Sequence, residues 1–583
     1  MEIIADAPVI LLDSFGGGGF ASSWRFGGYV KTVVAHHPAE VVAVLAEVEQ
    51  AAASGLYAAG FVAYEAATAL NPDLPSLPPL DGLPLAWFAL FRERQSVPAD
   101  EELSASAADV SLEPQKSLEE YAGEVEQIRE YIAAGDCYQV NHTFPLQGVF
   151  QGNLQELYAL IGAAQRAPFS AYLDTGRFKI LSASPELFFS LKDNVITTRP
   201  MKGTASRGRW VEEDLAAVEQ LRESPKEKAE NLMIVDLLRN DLGVVAETGS
   251  VSVDALFEVE TYPTVHQMTS TISAKLRPGT GLTEVFQALF PCGSVTGAPK
   301  RRSMEIIAGL EKEPRGVYCG AIGCVAPGGE ALFSVAIRTL LLDTQAGSVT
   351  MGVGSAVTWD SDVSSEYAEC LSKGAFVTRQ KADFRLIETL KLDNGSYSLL
   401  DRHIARMAAS AGYFGFRCDQ HVIRQALSVH AAHTVGIMKV RLLLSADGGV
   451  DVSSEPLPEN SGALRVAIST YRVHSCDAMR YHKTTQRELL DHARSASPEC
   501  DEVLLRNEHG QLTEGSYHTL VVKLDGQHFT PPLVCGVLPG VLRGELLEQG
   551  KIDERVLYPH DLERADELWL INSVRGWRRC VVI

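Results

Sequence analysis

The chain has 583 residues, 46% hydrophobic and 22% charged. That balance excludes a mainly disordered or collagen-like polypeptide and, at about 150 residues per domain, allows roughly four structural units. With 52 Lys and Arg against 74 Asp and Glu, the net charge of −22 disfavours nucleic acid as a partner.

Ten cysteines form no CxxC pair, the first basic residue is Arg25, and apolar stretches such as Ala331 to Leu342 are broken by a charge, here Arg338. The expectation is a reduced cytoplasmic chain with no disulfide framework, secretory leader or membrane span. Gly16 to Gly19 has no Gly-Lys-Ser/Thr after it and reads as a turn, not a phosphate loop. Glu93 to Lys116 is polar and aperiodic, and Gln95 to Ser111 within it reads as a surface connection. Ser117-Leu118-Glu119-Glu120 has capping-box spacing, and Tyr121, Val125, Ile128 and Ile132 predict a helix that Gly135 stops. Strands are predicted at Phe178 to Leu181, Leu187 to Leu191, Val195 to Thr198, Val335 to Leu342 and Ser348 to Gly352, with a helix after Pro225. A domain boundary is placed at 380/381. Beyond it come a strand at Leu386 to Leu390, a turn at Asp393-Asn394-Gly395, a helix through His403 and Arg406, and two strand-rich halves dividing near Tyr471 around a crevice.

Two Glu-x-x-Glu pairs stand out, Glu227 with Glu230 and Glu366 with Glu369. Such pairs are most often solvated helix faces. Here the first pair leads into the apolar, acid-bearing run Asn231 to Asp241, and converging pairs would offer hard oxygen ligands suited to Mg²⁺. Lys202 beside Gly203 predicts a lysine on a tight turn after a strand, a nucleophile once burial lowers its pKa. Glu186, just past a strand, suits a general acid or base. The small-residue loop Gly293 to Lys300 runs into a helix and presents N–H groups to a carboxylate.

Gln139-Val140-Asn141, Ser182 to Glu186, Lys202-Gly203-Thr204, Lys226 to Asn231, Gly293 to Lys300 and Glu366 to Lys373 together resemble the chorismate-utilising enzymes, over roughly Asp13 to Arg379. The resemblance implies an α+β sandwich of two large sheets with helices outside. It implies Mg²⁺ on Glu230 and Glu369, with Glu227 and Glu366 adjacent. Gln139, Thr296, Gly297, Tyr318, Arg338 and Lys373 would bind chorismate, His266 would lie by the leaving hydroxyl, and Lys202 and Glu186 would do the chemistry. Water-using members carry lysine where this chain has Gln139, and anthranilate-making members alanine where it has Lys202. The combination is similar to the aminodeoxychorismate synthase branch. No cysteine sits in a Gly-x-Cys-x-Gly elbow, so ammonia is expected from a separate glutamine amidotransferase subunit, or free in solution.

In the second half, Lys483 lies in Tyr481 to Arg487, Arg406 follows His403 at i+3, Glu514 follows a hairpin turn at His509-Gly510, and Gly536 to Arg543 is a glycine-flanked turn opening a helix. A lysine, a carboxylate and an arginine with a helix N-terminus are the parts pyridoxal phosphate needs. Together they resemble the two-lobed class IV pyridoxal-phosphate enzymes over about Phe384 to Ile583. This implies Lys483 as the Schiff-base lysine, Glu514 on the pyridine nitrogen, and Arg406, Val541, Leu542 and Ser573 at the phosphate; it also allows a homodimer through this domain. The expected function is para-amination of chorismate followed by pyruvate elimination to p-aminobenzoate. The alternatives are an ortho-aminating or other chorismate-aminating synthase joined to a class IV amino-acid aminotransferase, or a synthase joined to a non-catalytic regulatory domain.

Overall fold

The computed structural model describes residues 7–15, 20, 22–97, 109–377, 384–460 and 462–583. The glycine run, the central part of the 95–111 connection and the boundary at 380/381 lie outside the described residues. The chain divides into two compact units, residues 1–206 with 218–381, and residues 207–217 with 382–583.

Among the described residues of the first unit, eighteen strands join in one hydrogen-bonded network. One run pairs Ser252–Thr261, Val265–Lys275, Val195–Arg199, Leu187–Lys192, Ala331–Val335, Ala321–Val325, Tyr57–Val62, Ala86–Val97 and Ser23–Ala35 in that order. A second pairs Ile10–Asp13, Phe169–Asp174, Phe178–Ser184, Thr339–Asp343, Ser348–Val357, Gln139–Gln151 and Asp109–Pro114. Because side chains alternate faces along a strand, each run buries two surfaces. Ala59, Phe61, Trp87 and Ile322 of the first run pack with Ile10, Leu12, Phe169 and Ile180 of the second, which makes the runs the two layers of a sandwich. On the outer faces, Ala58, Val62 and Phe88 meet Val41 and Leu45 of the helix Pro38–Ala53 and Ile234 and Leu238 of the helix Pro225–Val245. Phe144, Leu181 and Met351 meet Tyr121 and Val125 of the helix Leu118–Ala133. This is the α+β two-sheet sandwich with helices outside. Ser117 caps the helix Leu118–Ala133 as its spacing predicts, accepting from the Glu120 N–H.

Three local expectations change. Both ends of the connection expected over Gln95 to Ser111 are paired strand: Ala86–Val97 runs through Gln95 against Ser23–Ala35, and Asp109–Pro114 pairs with Gln139–Gln151. The run Val335 to Leu342 is two strands, Ala331–Val335 and Thr339–Asp343, because Arg338 between them is left-handed at φ 51°. Lys202 lies within the strand Met201–Ser206, not on a turn; Gly203 at φ 100° and a register shift against Val265–Lys275 bulge that strand.

The second unit has a four-stranded sheet, Ser396–Tyr397, Leu386–Asp393, Ile437–Leu444 and Val450–Pro456, covered by the helices Leu400–Phe414 and Gln420–Ala432 through Ile404, Met407, Ile423 and Leu427. An eight-stranded sheet follows, and its Val521 and Ile571 pack on Leu546 of the helix Val541–Glu548. The sheets divide between Pro456 and Leu464; Tyr471, expected near the division, lies inside the strand Leu464–Val473. Among the described residues no helix is long and apolar enough to cross a membrane.

Candidate functional site

The first site is built around the Lys202 bulge. The Asn231 side-chain amide donates to the Lys202 carbonyl at 3.0 Å and accepts from the Ser270 hydroxyl at 2.6 Å, which fixes the lysine's backbone. Gly203 is needed beside it, since a Cβ there would meet Glu227 Oε2 and Met268 Cβ at 3.2 Å in a backbone region L-residues rarely adopt. Lys202 Nζ lies 3.4 Å from Glu230 Oε2. Burial and the neighbouring Glu230 raise the Glu227 carboxyl, which also feels Glu369. Burial opposes ionisation of Glu369, but Lys373, 2.7 Å away, holds it below the usual range. Lys373 Nζ also donates to the Gly354 carbonyl at 2.8 Å.

Glu186 connects two strands, Phe178–Ser184 and Leu187–Lys192, and is 3% exposed. Burial pushes its carboxyl up to about 7, against the pull of Ser294, the Met201 N–H and Lys202. Its Oε1 has no hydrogen-bond partner, and neither side-chain polar atom of the fully buried Gln139 has one. Unmet buried polar groups of this kind are what a bound polar ligand satisfies. Gln139 lies where Gln139–Gln151 pairs with Gly297–Ala298, and Gly297, at φ 142°, has Gln139 O where a Cβ would sit. Thr296 is buried in the same loop and donates to the Cys292 carbonyl. Tyr318 lies over Gly352, where a Cβ would fall 2.1 Å from its ring. Burial lowers the Arg338 guanidinium to about 10, and its NH1 donates to Gln165. Buried His266 shares a hydrogen bond with Thr261. Glu366 stands in the first turn of the helix Val363–Gly374, which also carries Glu369, and its charge acts on Tyr121.

Among the described residues no group of three or more His, Cys, Asp or Glu is disposed to hold a metal ion. Mg²⁺, however, takes one or two carboxylates and completes its shell with water and substrate, and Glu230 and Glu369, each now paired with a lysine, are such donors.

In the second unit, burial lowers the Lys483 amine to about 7 and its Nζ donates to Thr389 at 2.9 Å. Burial also raises Glu514 to about 7, against Arg480, 3.0 Å away, and the Leu538 N–H. Arg406 grips both oxygens of buried Glu388 and donates to the Pro539 carbonyl at 3.0 Å. That guanidinium, with His403, holds the Glu388 carboxyl well below its ordinary value despite burial. The turn from Leu538 to Gly540 therefore gathers Glu514, Arg406 and the N-terminus of Val541–Glu548, where Val541 and Leu542 begin the helix. Ser573 follows the strand Glu567–Asn572, whose Ile571 pairs with Thr519, itself opposite Glu514. A buried, deprotonation-prone lysine, a buried carboxylate and a helix N-terminus backed by arginine fit pyridoxal phosphate.

Sequence reading missed Arg315, Arg480 and Glu388. Buried Arg315 is held by Glu311 and donates to the Val295 and Asn141 carbonyls at 2.8 Å, clamping the Gly293 to Gly297 loop to the Gln139 strand. Only its position just before Gly316 and Tyr318 hinted at this. Arg480, three residues before Lys483, and Glu388, beside Thr389, carry no signal of their own.

Residues 21–379 match the family model described as chorismate binding enzyme, and residues 385–583 match amino-transferase class IV. Aminodeoxychorismate synthase component 1 of Klebsiella aerogenes is 40% identical over 289 residues, covering 50% of this chain and 62% of that protein. The Escherichia coli (strain K12) protein of the same name is 42% identical over 262 residues, covering 45% and 57%. The chain thus matches less than two thirds of these relatives' own length. The crystal structure of anthranilate synthase component I from Streptococcus pneumoniae TIGR4 shares the fold, with a TM-score of 0.52, 24% identity, and coverage of 65% of this chain and 94% of that one.

Proposed function

Because the chain belongs to the chorismate-binding enzyme family, we propose that its first unit aminates chorismate at the para position with ammonia, and that its second eliminates pyruvate from the product to give p-aminobenzoate, a folate precursor. The observation that supports the first half is Lys202, 3.4 Å from the Glu230 carboxylate, with its charge acting on Glu186. Its amine would attack the ring carbon next to the carboxylate-bearing carbon while the ring double bonds shift and the 4-hydroxyl departs. Glu186, poised near 7, would take the proton Lys202 sheds and return one to the departing hydroxyl, beside His266. Ammonia would then attack C4, shift the double bonds back and expel Lys202. Glu230 and Glu369 would hold Mg²⁺, with Glu227 and Glu366 as neighbours; the ion would neutralise the ring carboxylate. Gln139, Thr296, Gly297, Tyr318, Arg338 and Lys373 would orient the substrate.

In the second unit Glu514 would meet the pyridine nitrogen of pyridoxal phosphate, and Arg406, Val541, Leu542 and Ser573 its phosphate. The cofactor would supply an electron sink. Lys483, whose amine burial lowers to about 7, would carry the cofactor and move the proton at C4 as pyruvate leaves C3. Relatives named component 1 support an ammonia supply from a separate glutaminase subunit. The test is product analysis with chorismate, Mg²⁺, ammonium and pyridoxal phosphate. p-Aminobenzoate supports the proposal; anthranilate refutes the first step, and accumulating aminodeoxychorismate the second.

A further inference from the structure

The second compact unit includes residues 207–217, which in sequence lie inside the first. This segment sits on the residues that precede Lys483. The Trp210 ring packs on the buried Tyr481 ring at 4.9 Å, and the Arg209 guanidinium covers both, 4.7 Å from the first and 5.7 Å from the second. Arg209 NH1 and the Tyr481 hydroxyl donate to the same acceptor, the Ser475 carbonyl, at 3.0 and 2.7 Å. Next in the chain, His482 Nδ1 shares a hydrogen bond with the Ser410 hydroxyl at 3.0 Å, and its ring lies 4.3 Å from that of Tyr413, over which the Arg207 guanidinium also sits at 4.4 Å. Both arginines are braced from within the segment, Arg207 by Asp214 and Arg209 by Glu213, each through two guanidinium nitrogens. Gly208 permits the tight fold between them, because a Cβ there would lie 2.1 Å from the Asp214 nitrogen. On the far side the Lys483 carbonyl accepts from the Ile387 N–H at 2.9 Å. The Lys483 backbone is thus bonded to the strand Leu386–Asp393, while Tyr481, two residues before it, is held by the 207–210 segment.

We infer that Arg209 and Trp210 are positioning residues for Lys483, so that the segment after Lys202 sets how the second unit holds its cofactor. The inference rests on reading Lys483 as the pyridoxal-phosphate lysine. It requires no contact of either residue with cofactor or substrate: they act through Tyr481, two residues before the lysine.

The test uses the full-length protein, stripped of pyridoxal phosphate and titrated with it. Trp210→Ala should weaken cofactor affinity by about two- to tenfold, the fold-change one aromatic pair supplies. It should also move the pH midpoint at which the visible absorbance of bound cofactor titrates. Trp210→Phe, which keeps a ring over Tyr481, should restore both readouts. Arg209→Met should weaken binding in the same direction, and it decides the matter if Trp210→Ala does not fold. Wild-type affinity and an unmoved midpoint in a folded Trp210→Ala or Arg209→Met protein would overturn the inference. A wild-type chain that binds no pyridoxal phosphate through Lys483 would remove the reading of the lysine and, with it, the inference.

Discussion

Lys202 Nζ and Glu230 Oε2 lie 3.4 Å apart, each side chain largely buried, and Lys226 meets the other oxygen of the same carboxylate at 3.9 Å. In the proposed mechanism Glu230 would be one of the Mg²⁺ ligands and Lys202 the nucleophile beside it. Lys202→Ala should therefore lose para-amination, because the covalent route is gone, and should leave room for direct attack by ammonia at the ortho position. Chromatography of the products decides it: aminodeoxychorismate formed at the wild-type rate sinks the covalent mechanism.

Glu230→Gln and Glu369→Gln should each raise the Mg²⁺ concentration needed for half-maximal chorismate consumption by at least about tenfold, the effect that loss of mere outer-shell partners already produces. Glu366→Gln should change it far less, because Glu230 and Glu369 are the carboxylates paired with Lys202 and Lys373. Equal effects at all three positions would show that Glu366 also holds the ion.

Glu186 gives a prediction of two signs. Its carboxyl is raised to about 7 by burial, so the ionised form needed to accept the lysine proton disappears as pH falls through 7, and chorismate turnover should fall with it. Folding stability runs the other way. A group whose folded pKa is raised contributes stability below the unfolded value of about 4.3, and loses it as pH rises to 7. Glu186→Gln should cut turnover by about 10²- to 10⁴-fold while raising the melting temperature at pH 8 more than at pH 5. A melting temperature lowered equally at both values would mean that the carboxylate is structural.

Lys483→Ala should lose the visible absorbance of bound cofactor and stop the sequence at aminodeoxychorismate while chorismate is still consumed; an added aminodeoxychorismate lyase should then restore p-aminobenzoate. The cofactor-free protein carries a further sign. Lys483 is lowered to about 7, so burying its charge destabilises the fold progressively as pH falls from about 10.4 to 7. Lys483→Met should accordingly raise the melting temperature of the cofactor-free protein at pH 7, read by differential scanning calorimetry. An unaided wild-type yield of p-aminobenzoate from Lys483→Ala would show that another lysine does the work.

Much of this was legible from residue order. The capping box at Ser117 and the periodicity after it are local properties, and local structure follows them, whereas the turn expected at Lys202 is a bulged strand. What escaped is non-local. Arg338 is apolar in its surroundings, so Val335 to Leu342 reads as one strand; only the fold shows the backbone turning left-handed there. Arg480 is recognised only by its meeting with Glu514, and Arg315 only by the two carbonyls it ties together. A linear reading also assigned every residue before the boundary to the first activity, whereas Trp210 packs on Tyr481 in the second unit.

That last arrangement has a consequence for synthesis. The ribosome delivers 207–217 well before the chain onto which this segment packs, and domains made first generally fold first. The strand and helix on either side can settle once residue 377 is out, but the aromatic and arginine side chains between them must wait, uncovered, until Tyr413, Ser475 and Tyr481 emerge. Maturation of the second unit is thus bound to chain order. Separating the halves into two polypeptides would strand this segment on the wrong one, whereas the fused chain delivers it in stoichiometric amount every time.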